Sequence, residues 1–102
     1  MNNKKTLGIV ILTLNAENEI KNILKVIDFY KYKVLILDSS SDDNTVEICN
    51  KYGCQIKIID RSDFNHGATR EQGRQEIGTD IVIFLTQDAI PFNDKTFDNL
   101  IK

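Results

Sequence analysis

Three unbroken apolar runs constrain what this chain can fold into more than any other feature: Gly8-Ile9-Val10-Ile11-Leu12, Val34-Leu35-Ile36-Leu37 and Ile81-Val82-Ile83-Phe84-Leu85. A strand with one wet face alternates apolar and polar residues. A continuous run therefore predicts a strand covered on both faces, as in a parallel sheet layered by helices. Strands are expected over residues 8–13, 33–38, 55–60 and 80–86. The third, Gln55-Ile56-Lys57-Ile58-Ile59, alternates more and so belongs at the edge of the sheet.

Helical patterns separate the runs. Ile20, Ile23, Leu24 and Ile27 share one helical face, behind Glu17 and Glu19, which suit the positive end of a helix dipole. A second helix is expected after the turn Ser39-Ser40-Ser41-Asp42, burying Val46 and Cys49 and stopping at Gly53, a natural left-handed terminator. A third, over residues 67–77, has a weak apolar stripe and glycines at Gly67, Gly73 and Gly78, so something other than core burial is expected to hold it. A last helix from Asn93 would bury Phe97, Leu100 and Ile101.

Strand and helix in alternation imply right-handed crossovers and one α/β domain over residues 1–102. Its fold is a doubly wound, Rossmann-like, mostly parallel sheet of order 3-2-1-4. Such sheets bind ligands beyond the carboxyl ends of their strands, where the winding reverses. Here those ends read Thr13-Leu14-Asn15, Asp38-Ser39-Ser40, Asp60-Arg61-Ser62 and Thr86-Gln87-Asp88. Polar residues follow every strand.

Composition narrows the chemistry. The formal net charge is -2 with Lys and Arg scattered, which leaves no footprint for duplex nucleic acid or an anionic membrane. The apolar run over residues 7–12 is too short for a signal-peptide core or a membrane span, so a cytoplasmic location is expected. Cys49 and Cys54 fit neither a disulfide framework nor a four-ligand zinc site and are expected as reduced core residues. His66 is the single histidine, which excludes a multi-histidine metal site. Carboxylates and backbone amides are left as the main chemical tools.

Asp38 closes an apolar strand and precedes three serines, which places its carboxylate at the sheet rim, where it could accept the imide N–H of uracil or thymine. Capping of the next helix by Asp38 or Asp42 is the plainer alternative. Asp88 could hold a hard divalent cation that in turn holds a diphosphate, and a purely structural role in the turn toward Pro91 stays open beside it. Asn65-His66-Gly67-Ala68-Thr69-Arg70 brings free backbone N–H groups, a positive helix end and a guanidinium together, which suits an anionic ligand. A solvated or ion-paired Arg70 is the alternative there. Neither a phosphate-loop nor a dinucleotide-binding glycine signature occurs.

Taken in order, Ile9-Val10-Ile11-Leu12-Thr13-Leu14-Asn15-Ala16-Glu17, Leu37-Asp38-Ser39-Ser40-Ser41-Asp42-Asp43-Asn44-Thr45, Asn65-His66-Gly67-Ala68-Thr69-Arg70 and Phe84-Leu85-Thr86-Gln87-Asp88-Ala89 resemble family 2 glycosyltransferases. The His-Gly-x-Thr-Arg and Thr-Gln-Asp-Ala elements look most like the rhamnosyltransferase-like members. The resemblance spans nearly the whole chain and implies the N-terminal, nucleotide-binding half of a GT-A fold. For the complete enzyme it implies inverting transfer of a sugar, with rhamnose as one candidate, from a UDP- or dTDP-sugar to a hydroxyl of a saccharide or lipid-linked acceptor. Cell-surface polysaccharide synthesis, at the inner face of the cell membrane, would be the setting.

Carried over residue by residue, the resemblance puts Thr13 and Asn15 in the first nucleotide loop, with Glu17 nearby. It puts Asp38 at the pyrimidine base, Arg70 close to the nucleotide and Asp88 at the metal-binding carboxylate for Mg2+ or Mn2+. Thr86 stands where the family's D-x-D element has its first acidic residue, so the metal rests on Asp88. The acceptor site and the catalytic base are expected downstream. These 102 residues are thus expected to bind donor nucleotide without transferring sugar at an appreciable rate, and to self-associate through an uncovered sheet edge. Two other classes compete. A receiver-like regulatory domain would phosphorylate Asp38 but wants an acidic pair where this chain has Thr13-Leu14-Asn15, and a non-catalytic interaction module would pair through its edge strand.

Overall fold

In the computed structural model, residues 5–63 and 66–87 are described. They form β1 (Leu7–Thr13), α1 (Glu17–Leu24), β2 (Lys33–Asp38), α2 (Thr45–Lys51), β3 (Gln55–Ile58), a 3₁₀ turn over Arg61–Asp63, α3 (His66–Ile77) and β4 (Ile81–Thr86). The expected helix from Asn93 lies outside the described residues. All pairings are parallel and the sheet order is β3-β2-β1-β4, as the alternation of runs and helical patterns predicts.

The continuous apolar runs are explained by two layers of cover. Successive strand residues point to opposite faces. Ile9, Ile11, Val34 and Ile36 pack with Ile20, Ile23, Leu24, Ile48 and Cys49 from α1 and α2. Val10, Leu12, Leu35 and Leu37 pack on the other face with Ile77 of α3 and with Ile59. Each fully buried aliphatic side chain contributes about 1.5–3 kcal/mol. Ile9, Val10 and Ile11 of β1 have no exposed surface, which makes β1 the spine of the domain. β3 is an edge strand with exposed Gln55 and Ile58, matching its alternating sequence.

Details differ from the sequence expectation where polar groups intervene. The expected first stripe outlasts its helix: α1 ends at Leu24, and Ile27 is buried from the turn beyond it. In α2 the buried face is Thr45, Ile48 and Cys49, while Val46 is half-buried. Neither Asp38 nor Asp42 caps that helix. Asn44 is the N-cap and makes no side-chain bond, while Asp43 just before it accepts through Oδ1 from the Thr45 N–H at 3.0 Å and from the Thr45 hydroxyl. Gly53 adopts φ +84 beyond the helix, as a left-handed terminator should.

The question raised by the weak stripe of α3 also has an answer. Gly73 faces the sheet so closely that a Cβ there would lie 2.9 Å from both Val10 Cγ1 and Leu37 Cδ1. The missing side chain lets the helix backbone approach the strands, while Thr69 and Ile77, 3% and 1% exposed, anchor it on either side. Cys49 is buried and Cys54 half-buried, and both are free thiols. A hydrogen bond between them, followed by burial, holds the Cys49 thiol well above its ordinary range.

Candidate functional site

At the carboxyl ends of the strands lies a cleft of about 340 Å³ lined by Leu12, Thr13, Leu14, Ser39, Arg61, Thr86 and Gln87. Every strand end contributes: the end of β1, the residue after β2, the turn after β3, and the end of β4. The walls are mostly apolar, and Leu14 is one of the few large apolar side chains exposed among the described residues. An apolar cleft with a few polar groups at its margin is the common form of a small-molecule site.

Two loops form one side of this cleft, and hydrogen bonds stitch them together. Asn15 sits at φ +48, a left-handed conformation that asparagine tolerates better than most residues. Its N–H donates to Ser41 Oγ at 2.8 Å, and its Oδ1 accepts from the Asp42 N–H at 2.7 Å. Below them the Ala16 N–H donates to Thr45 Oγ1 and the Glu17 N–H to Asp43 Oδ2, so the start of α1 is satisfied by the β2–α2 loop rather than by a local cap. Burial disfavours the charged form of Asp43. The hydrogen bonds from Thr45 and Glu17 outweigh it and hold that carboxyl below its ordinary value.

Asp38 departs from expectation. The sequence places its carboxylate at the rim of the sheet and not in the core, yet it has no exposed surface. Its Oδ1 accepts from the hydroxyls of Thr13 and Ser41, both at 2.6 Å, and its Oδ2 accepts from the Ser41 N–H at 2.7 Å. The serines after the strand fold back over the carboxylate and take it out of solvent. A carboxylate so enclosed organises the loop, and a phosphodonor would have no access to it, which removes the basis for the receiver-like reading.

The other predicted residues divide. Thr13 and Asn15 join Asp38 at the strand ends, Thr13 in the cleft wall and Asn15 in the adjoining loop. The structure does not bring Glu17 to the cleft: as the first residue of α1 it faces a separate groove with Lys21, Glu47 and Tyr52. Arg70 is exposed on α3 and does not line the cleft among the described residues. Asp88 lies outside the described residues, and among those described no group of three potential metal-ligating side chains comes together.

Of the cleft residues only Thr13 was among the predicted site residues; Arg61 and Gln87 stand out among those missed, although both were visible near strand ends. Arg61 donates from Nε to Ser39 O at 3.1 Å, and from Nη2 to Ser40 O at 3.1 Å and Asp42 Oδ2 at 2.9 Å. Gln87 accepts the Leu14 N–H through Oε1 at 2.7 Å, tying the end of β4 to the loop after β1. The usable signal was position: each stands within three residues of a strand's carboxyl end.

A parallel sheet of order 3-2-1-4, with a cleft to which every strand end contributes, is the architecture of a doubly wound α/β domain. Comparison with known proteins agrees. S. aureus TarS superposes with a TM-score of 0.74 over 94% of this chain and 19% of its own, at 19% identity. The mannosyltransferase PcManGT from Pyrobaculum calidifontis does so with a TM-score of 0.69 over 96% of this chain and 32% of its own, at 18% identity. The family model for glycosyl transferase family 2 matches residues 8–102, and the chain belongs to that family. It is 37% identical over 98 residues to the O-antigen chain rhamnosyltransferase RfbN of Salmonella typhimurium, covering 91% of this chain. The chain spans 31% of the length of that relative.

Proposed function

We propose that the chain is the donor-binding part of an inverting glycosyltransferase, holding the nucleoside diphosphate of a sugar donor in the cleft above the sheet. The observation that carries this is the cleft itself, to which all four strand ends contribute and whose loops are already fixed by Asp38 and Asn15. Its volume is at the low end of small-molecule sites, so it suits the nucleoside and leaves the sugar to project beyond it.

In this reading Leu12 and Leu14 supply the apolar surface for a base, while Thr13 and Asn15 shape the first loop. Asp38 acts through the Ser39–Ser41 segment that it holds. Arg70 supplies positive charge toward the diphosphate from α3. Asp88 is the carboxylate assigned to Mg2+ or Mn2+, a cation that would neutralise diphosphate charge. TarS is described in complex with UDP, and PcManGT with GDP-Man and Mn2+. Those complexes support a nucleotide-sugar occupant without choosing its base. The relation to RfbN supports rhamnose as the sugar and a saccharide acceptor in O-antigen synthesis. A lipid-linked acceptor would place the complete enzyme at the cytoplasmic face of the membrane. No helix among the described residues is long and apolar enough to cross one.

Calorimetry of UDP, dTDP, ADP and GDP, each with and without Mn2+, tests the proposal. Pyrimidine diphosphates should bind best, and Mn2+ should tighten them. Equal affinity for all four, or none, would overturn it and favour an interaction module that pairs through its sheet edge.

A further inference from the structure

We infer that Arg61 is a positioning residue that sets the shape of the nucleotide loop, and thereby the affinity of the site for the nucleoside rather than for its phosphates. The inference rests on the donor-binding reading above. One guanidinium grips three successive parts of the β2–α2 loop: the carbonyls of Ser39 and Ser40 and the carboxylate of Asp42. The two carbonyl bonds come from different nitrogens of one planar group, a spacing that a single ammonium cannot reproduce.

What is held is a strained turn. Ser40 sits at φ +58, a left-handed conformation that costs a serine free energy and persists only where neighbours impose it. Its hydroxyl donates to Ile59 O at 2.7 Å, and its carbonyl is taken by Arg61, so both anchors come from the segment just after β3. The twist at Ser40 is what turns Ser41 back onto Asp38 and leaves Ser39 in the cleft wall. The ion pair with Asp42 adds little by itself, since the two side chains are 46% and 81% exposed. The bonds to the two carbonyls carry the effect.

The test measures UMP and UDP affinity by calorimetry for the 102-residue chain and its R61K and R61A variants, with amide NMR spectra of each before nucleotide is added. Both variants should weaken UMP and UDP by the same factor, about tenfold for the loss of one charge-assisted bond's worth of ordering. The amides of residues 39–42 should shift in both variants while those of β1 stay put. Wild-type affinity in R61K would overturn the inference, because charge and bulk would then suffice. A loss much larger for UDP than for UMP would also overturn it, showing direct phosphate contact. Should R61A fail to fold, R61K alone decides. If the unaltered chain binds neither nucleotide, the donor-binding reading itself has failed, a result distinct from normal binding by the variants.

Discussion

Gly73 offers a prediction in which two physical effects have opposite signs. Replacing a helical glycine by alanine removes backbone freedom from the unfolded chain and should stabilise by about 1 kcal/mol if α3 stood alone. It does not stand alone. The new Cβ would lie 2.9 Å from Val10 Cγ1 and Leu37 Cδ1, where carbon atoms prefer separations of about 3.5–4.0 Å. Val10 is fully buried in the central strand and stiff at χ1, so it cannot turn aside. Helix α3 must therefore lift by roughly half an ångström, loosening Thr69 and Ile77. Overpacking of this kind costs about 1–3 kcal/mol. The packing effect wins, leaving Gly73→Ala about 1 kcal/mol less stable than the natural chain, or roughly 4–8 °C lower in Tm for a domain of this size. Gly73→Val has a larger side chain and a smaller propensity gain, so it should fall further. Urea unfolding followed by far-UV circular dichroism, with an unchanged m-value, measures both. If Gly73→Ala melts at or above the natural chain, the close approach of α3 to the sheet is wrong.

Thr13→Val removes a buried hydroxyl donor from Asp38 while keeping shape, and should cost about 1–3 kcal/mol in urea unfolding, with Thr13→Ser nearly neutral. Stability should also decline in acid. Hydrogen bonds from Ser62 and Thr6 hold the Asp60 and Asp80 carboxyls below their ordinary values, as bonds from Thr45 and Glu17 hold Asp43 against its burial. A depressed folded pKa gives stability that is present above the unfolded value of 3.8 and is lost as pH falls through the folded value. Melting temperature followed from pH 6 downward should drop below about pH 4, and Asp43→Asn should flatten that drop; an unchanged slope would count against the Asp43 network. For the ligand, Asp88→Asn should abolish the tightening of UDP by Mn2+ while sparing metal-free binding. Arg70→Ala should weaken UDP more than UMP, and an equal loss would remove Arg70 from the diphosphate.

The strands were legible because their signal is local and strong: unbroken runs of aliphatic residues have few uses other than a strand covered on both sides. The order of the sheet followed from the alternation with helices, and the place of the cleft followed from the order. Side-chain placement was harder. Asp38 read as a rim acceptor because it closes an apolar strand and three serines follow, but its partner Thr13 comes from a position that meets it only through the fold, and the return of nearby Ser41 onto it depends on the turn at Ser40. Glu17 was brought to the site by the family resemblance, whereas the start of α1 turns its side chain toward α2. Arg61 carried no motif and was passed over, since a lone arginine after a short strand is ordinary until its carbonyl partners are in view. The hold on α3 was invisible for a related reason, because a glycine that permits close packing looks like a glycine that weakens a helix.

The central place of β1 has a consequence for how the chain comes to be folded. Its partners are residues 33–38 on one side and 81–86 on the other, and among the described residues no hairpin joins two strands. During synthesis β1 emerges ahead of both partners and must wait until residues 81–86 follow before its second flank is occupied. Loop closure over such separations makes parallel pairing slow. The interval is a window in which Ile9-Val10-Ile11-Leu12 can join the same segment of another nascent chain, so the yield of native protein should depend on how quickly residues 81–86 arrive.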